Sequence, residues 1–230
     1  MIKYNEKHFS SSQLVQDIII GMSDGLTVPF ALAAGISGVT HSAAIIIAGG
    51  LAEIVAGSIS MGLGGYLAAK SEIDHYKTEL AREYQEVEEV PEVEAQEVTD
   101  IFKTYGLQDN EIVPIINSFR KDKKSWVEFM MKNELGLEET HPKQALKTAA
   151  TITSAYVVGG FIPLLPYMFV SQNHQALLIS AIMTLLALLI FGYVKGLFIG
   201  NRPFKSAFTT MITGGLAAGA AFLLASLISR

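Results

Sequence analysis

Cysteine is absent from this 230-residue chain. That excludes disulfides and thiolate metal ligands, so any metal it handles must be held by carboxylate, thioether, imidazole or backbone oxygen. Acidic residues are absent from 148 to 230, where Lys195, Arg202, Lys205 and Arg230 are the only lysines and arginines. Tryptophan occurs once, at Trp126. The chain also lacks a dinucleotide fingerprint, a phosphate loop, a serine elbow and a basic nucleic-acid surface. Nothing in these absences favours an enzyme, a prosthetic group or a nucleic-acid partner.

What is present is apolar and segregated. Half of the residues are hydrophobic, charged residues make up 17% and the mean hydropathy is +0.36, an unusual balance for a soluble globule. The formal charge of -5 says little about partners, because most of the charge falls in residues 71–147. Five segments reach the roughly 20 residues that a helix needs to cross a bilayer: 14–36, 43–69, 148–170, 176–199 and 206–228. The N-terminal stretch MIKYNEKHFSSSQLVQD mixes acids with lysines and does not read as a signal peptide. The chain is thus expected to be an all-α polytopic membrane protein: residues 1–70 a tail and two spans, 71–147 a helical insert, 148–230 three spans.

Positive charge is retained on the cytoplasmic side of a membrane. The connections 35–42 and 171–175 have no lysine or arginine, whereas the N-terminus, the insert and the turn 201–205 all do. The expected orientation has the N-terminus and insert in the cytoplasm and the C-terminus outside, with Arg230 the one residue against it. Lys195 is placed to snorkel to the inner interface.

The insert is acidic. Residues 72–100 hold eleven acids against two bases, a charge suited to collecting cations. Helices are expected over 72–89, 93–105, 110–120 and 124–135, with Pro91 and Gly106 as breaks and Pro114 counting against the third. Ile101, Phe102, Ile112, Ile115, Ile116, Phe119, Trp126 and Phe129 recur at helical spacing, enough for a small core. Glu79, Glu83 and Glu86 share a helical face, Glu94 and Glu97 are three apart, and Met130, Met131 and Glu134 form a further set. Carboxylates with a thioether suit a divalent transition metal better than calcium or magnesium. The plainer reading of the same spacing is an acidic face in water and methionines in a core. His75 and His141 each follow a glutamate by three residues, Glu72 and Glu138. That matches a di-iron spacing, but at opposite ends of the insert, where solvent-facing roles are the simpler reading.

Acids inside the spans are harder to dismiss. Asp24 and Glu53 should face a cavity, pair, or take up a proton. Met61 lies eight residues beyond Glu53, nearly on the same face and about 12 Å along the axis. Asp17, nearer the cytoplasmic end of its span, is expected to be structural, accepting from Lys70 or a lipid amine. Gly21, Gly25, Pro29 and Gly35 in the first span, with Gly49, Gly50, Gly57, Gly62, Gly64 and Gly65 in the second, allow close helix contact or local unwinding.

The segments DGLTVPFALAAGISG (24–38), AEIVAGSISMGLGGYLAAKSE (52–72) and FMMKNELGLE (129–138) resemble the vacuolar iron transporter family over almost the whole chain. The resemblance implies a homodimer of five-helix subunits in a lipid bilayer that exports Fe²⁺ from the cytoplasm in exchange for protons, with Mn²⁺ and other divalent transition metals as further substrates. It implies a translocation path at Asp24, Glu53 and Met61. It also implies metal binding by a cytoplasmic insert at Glu83, Glu86, Glu94, Glu97, Met130, Met131 and Glu134. The short N-terminal stretch sets the expectation of a prokaryotic cell membrane. The alternative is a membrane-anchored iron store or sensor in which the spans are only an anchor.

Overall fold

The computed structural model describes residues 13–170, 172–200 and 202–229. Expectations for the N-terminal tail, for positions 171 and 201 of two connections and for Arg230 lie outside the described residues. Within them the chain is helical, with no strand. The order is α1 (Gln13–Ser37), α2 (Ala43–Glu89), α3 (Pro91–Thr104), α4 (Asp109–Phe119), α5 (Lys123–Asn133), α6 (Gln144–Phe169), α7 (Asn173–Ile199) and α8 (Pro203–Ile228). Five of them, α1, α2, α6, α7 and α8, are long and apolar enough to cross a membrane. The chain is a multi-pass membrane protein by this measure.

Two compact units divide the chain, one made of the described residues up to Tyr66 and from Ala145 onward, the other of Leu67–Gln144. In the first, glycine brings helices together. A Cβ on Gly21 or Gly25 of α1 would run into the backbone carbonyl of Ile152 or Tyr156 on α6. One on Gly160 of α6 would come within 2.7 Å of Ile54 on α2. On α7, Gly192 and Gly196 meet Ala207, Ser206 and Pro203 of α8 in the same way. Small residues substitute here for the hydrophobic drive that lipid does not supply. Large apolar side chains such as Ile59, Leu63, Ile182, Ile190 and Leu224 point outward and remain exposed, as a surface that meets lipid requires.

Pro29 sits inside α1, and Pro163 and Pro166 sit inside α6 without ending it. Each proline deprives a carbonyl one turn back of its helical donor. The Pro163 carbonyl itself accepts from the buried Ser180 hydroxyl of α7 at 2.7 Å. That hydrogen bond ties α7 to the proline-bearing part of α6.

The second unit has its own core. Val87, Ala95, Val98, Trp126, Val127, Met130 and Met131 form it. Phe102 and Phe129 pack against it with their rings stacked on each other at 5.2 Å, and Phe119 meets Phe129 at 5.1 Å. Pro91 takes the first turn of α3, where its missing N–H costs nothing. Gly106, at φ 86°, adopts the left-handed conformation just beyond the end of that helix. α4 forms despite Pro114, helped by a reciprocal capping box between Gln108 and Glu111.

Candidate functional site

Asp24 on α1 and Glu53 on α2 are brought to the same side chain, Tyr156 of α6. Tyr156 is buried, and its hydroxyl donates to Glu53 Oε1. Both carboxylates act electrostatically on that hydroxyl. The local sequence makes the arrangement possible: Gly25, next to Asp24, lies against the Tyr156 backbone, and Gly57, one turn after Glu53, lies against its ring. Larger residues at either place would force the tyrosine away. The second carboxylate oxygen of Glu53 is buried and has no hydrogen-bond partner. Glu53 is also the only charged residue in the wall of a cavity of about 710 Å³, otherwise lined by such residues as Val28, Leu32, Ile36, Ile45 and Ala221. With one oxygen buried and unpartnered and only the Tyr156 hydroxyl donating to the other, this carboxylate attracts a cation or a proton.

Met61 is half-buried two turns further along α2 and does not line that cavity. Asp17 is almost fully buried, at 1% exposure. It accepts from Gln13 Nε2 at 3.0 Å and from Thr148 Oγ1 at 2.9 Å, while Lys70 bonds Asp74 at 3.1 Å. Two neutral donors make Asp17 an interhelical tie between α1 and α6.

In the second unit, Glu83, Glu86, Glu94, Glu97 and Glu134 come close enough to interact as like charges. Glu83 and Glu94 are each only 3% exposed, and one oxygen of each is buried without a partner. Burial first, and then repulsion from neighbouring glutamates, raises both carboxyls to about 7. Glu134 is pushed up by the same causes, with Glu97 and Glu86 the main neighbours. Among the described residues, no three Asp, Glu or His side chains already converge as a metal-ligand group. Arg82 lies beside these acids, its Nε donating to Glu86 Oε1 at 3.0 Å and its guanidinium 3.7 Å from Glu79. Met130 and Met131 are buried in the core of the unit. His75 is exposed and faces Glu79 at 3.9 Å. His141 accepts from the Lys143 N–H, and Glu138 meets Lys132 at 3.4 Å.

This charge pattern, five membrane-length helices and a matching family model bear on identity together. The model of the VIT family matches residues 15–226. The chain belongs to the VIT family. Within that family it is similar to vacuolar iron transporter 2 of Oryza sativa subsp. japonica, 58% identical over 98% of this chain and 92% of that protein. It is similar to vacuolar iron transporter 1 of Arabidopsis thaliana, at 55% over 99% and 91%. Protein CCC1 of Saccharomyces cerevisiae is 39% identical over 94% of this chain and 69% of its own length. These relatives come from plants and yeast, and the expectation of a prokaryotic cell membrane finds no support in them.

In this VIT-family chain the side chains that sequence reasoning missed are Tyr156 and Arg82. Tyrosine inside an apolar span signals nothing by itself, and only helix packing sets its hydroxyl against Glu53. Arg82 was legible as a neighbour of Glu79 and Glu86 at helical spacing, but which of their oxygens it meets depends on rotamers.

Proposed function

We propose that this VIT-family chain is a carrier that moves Fe²⁺ out of the cytoplasm, working as a homodimer in exchange for protons, with Mn²⁺ and other divalent transition metals as further substrates. The names of its relatives support iron as cargo. The observation that carries the reading is Glu53: one oxygen held by Tyr156, the other buried and unpartnered, in the wall of an apolar cavity. A structural acid would have both oxygens satisfied, as Asp17 comes closer to having.

In this reading Asp24, Glu53 and Met61 line the path. The carboxylates replace water around the ion, and the thioether biases the site toward borderline-soft metals. A proton and Fe²⁺ compete for the same carboxylates, so protonation from the receiving side releases the ion and couples the two fluxes. The insert, residues 71–147, is the cytoplasmic metal-binding domain, with the N-terminus inside and the C-terminus outside. Glu83, Glu86, Glu94, Glu97 and Glu134 collect the cation, with Met130 and Met131 as soft ligands that must turn out of the core to take part. Glu83 and Glu94 are poised for this, since each exchanges a proton for metal near neutral pH.

The test is Fe²⁺ flux in anaerobic proteoliposomes under an imposed pH gradient, comparing the parent with Asp24→Ala and Glu53→Ala variants that remain folded. Gradient-dependent flux in the parent, lost in both variants, is expected. Iron binding without flux across a range of gradients would identify a membrane-anchored store instead.

A further inference from the structure

The geometry points to a phosphate-binding site between the last turn of α7 and the first turns of α8, where Lys195, Lys205 and three hydroxyls line one cavity at the end of two membrane-length helices. The cavity measures about 300 Å³, and Ser206, Thr209 and Thr210 share its wall with the two lysines. Neither lysine has a carboxylate partner among the described residues, and residues 148–230 contain no acid to supply one. Two lysines on the wall of one cavity, with no carboxylate beside them among the described residues, suit an anion from outside the chain.

The backbone brings the two lysine-bearing helices together. Gly200, at φ 71°, reverses the chain, and Gly196 lies against Pro203 and Ser206, so that α8 starts beside the last turn of α7. Lys205 and Ser206 of the first turn of α8 and Gly196 and Ile199 of the last turn of α7 thereby share the cavity wall. Hydroxyls add donors that discriminate a phosphate oxyanion from a bare halide. Position selects the source. The turn joins two membrane-length helices, at the depth where phospholipid headgroups lie, and Tyr193 and Phe204 pack edge to face at 5.2 Å beside it, as interfacial aromatics do. Basic pockets between spans are suited to anionic headgroups.

The experiment uses the full chain in nanodiscs of phosphatidylcholine containing a minor fraction of phosphatidylglycerol, with the lipid retained after purification counted by native mass spectrometry. The comparison is with the Lys195→Gln/Lys205→Gln double variant, a Lys195→Arg/Lys205→Arg control that keeps the charge, and thermal stability of each in pure phosphatidylcholine with added inorganic phosphate. The parent should retain phosphatidylglycerol over phosphatidylcholine, with the preference about 30-fold lower in the glutamine variant and kept in the arginine control. If phosphatidylglycerol shows no preference but inorganic phosphate stabilises the parent and not the glutamine variant, the site stands with a soluble phosphate as ligand. If the glutamine variant retains lipid and responds to phosphate as the parent does, the lysines merely snorkel to the interface and the inference fails.

Discussion

At Glu53 the two carboxylate oxygens have different surroundings: one accepts from Tyr156 and the other is buried and bare. Tyr156→Phe keeps the ring packed against Gly25 and Gly57 but releases the carboxylate. Fe²⁺ flux should fall about tenfold, the usual consequence of losing a hydrogen bond to a charged group, while the protein stays monodisperse in detergent. In the acidic unit, Glu83 and Glu94 have carboxyls raised to about 7 from the usual 4.5. Between those values the folded unit holds more protons than the unfolded chain, so its metal-free stability falls as pH rises from about 4.5 to about 7. Trp126 is the chain's single tryptophan and is 2% exposed in that unit's core, so its emission reports unfolding there selectively. The unfolding midpoint followed by Trp126 should drop between pH 5 and pH 7.5, and Glu94→Gln should flatten the change. Arg82→Gln should raise Mn²⁺ affinity about twofold or more by freeing Glu86, measured by calorimetry on the full chain.

Among the elements, α1 and α6 approach so closely that their contact depends on the absence of a side chain. Gly25→Val would drive a Cβ into the Tyr156 backbone, costing about 1–3 kcal/mol or more by overpacking and displacing the tyrosine from Glu53. Flux should be lost and detergent stability reduced. Gly64 has nothing within 4 Å of the place a Cβ would take, and Gly64→Ala should leave both unchanged. A thermal-shift assay with parallel flux measurement checks the pair. Helix boundaries themselves were largely legible, because Pro91, Gly106 and the 3.6-residue apolar period act locally. The long helices begin a few residues before their apolar runs, as Gln144 and Pro203 show, since a span continues through the interface once its first turn is nucleated.

Across the whole molecule, the proposed division of labour assigns capture to the insert and passage to the spans. Replacing residues 72–140 by a short flexible linker should leave Fe²⁺ flux at saturating iron and weaken it at low iron. Equal loss at both concentrations would mean that the insert is needed for passage itself. The same uneven charge that suggested this division, eleven acids in residues 72–100 and none in 148–230, also leaves Lys195 and Lys205 without a carboxylate from the segment they belong to.

The sequence by itself determined the five membrane-length helices, the helical acidic insert and the family, because apolar run length, helix-breaking residues and shared motifs are properties of order along the chain. The tertiary structure alone decided that Tyr156 serves Glu53, that Gln13 and Thr148 serve Asp17, that Met130 and Met131 lie in a core, and that Glu83 and Glu94 are buried together. Those facts depend on which helix faces meet, and helical spacing names the faces of one element without saying what stands across from them.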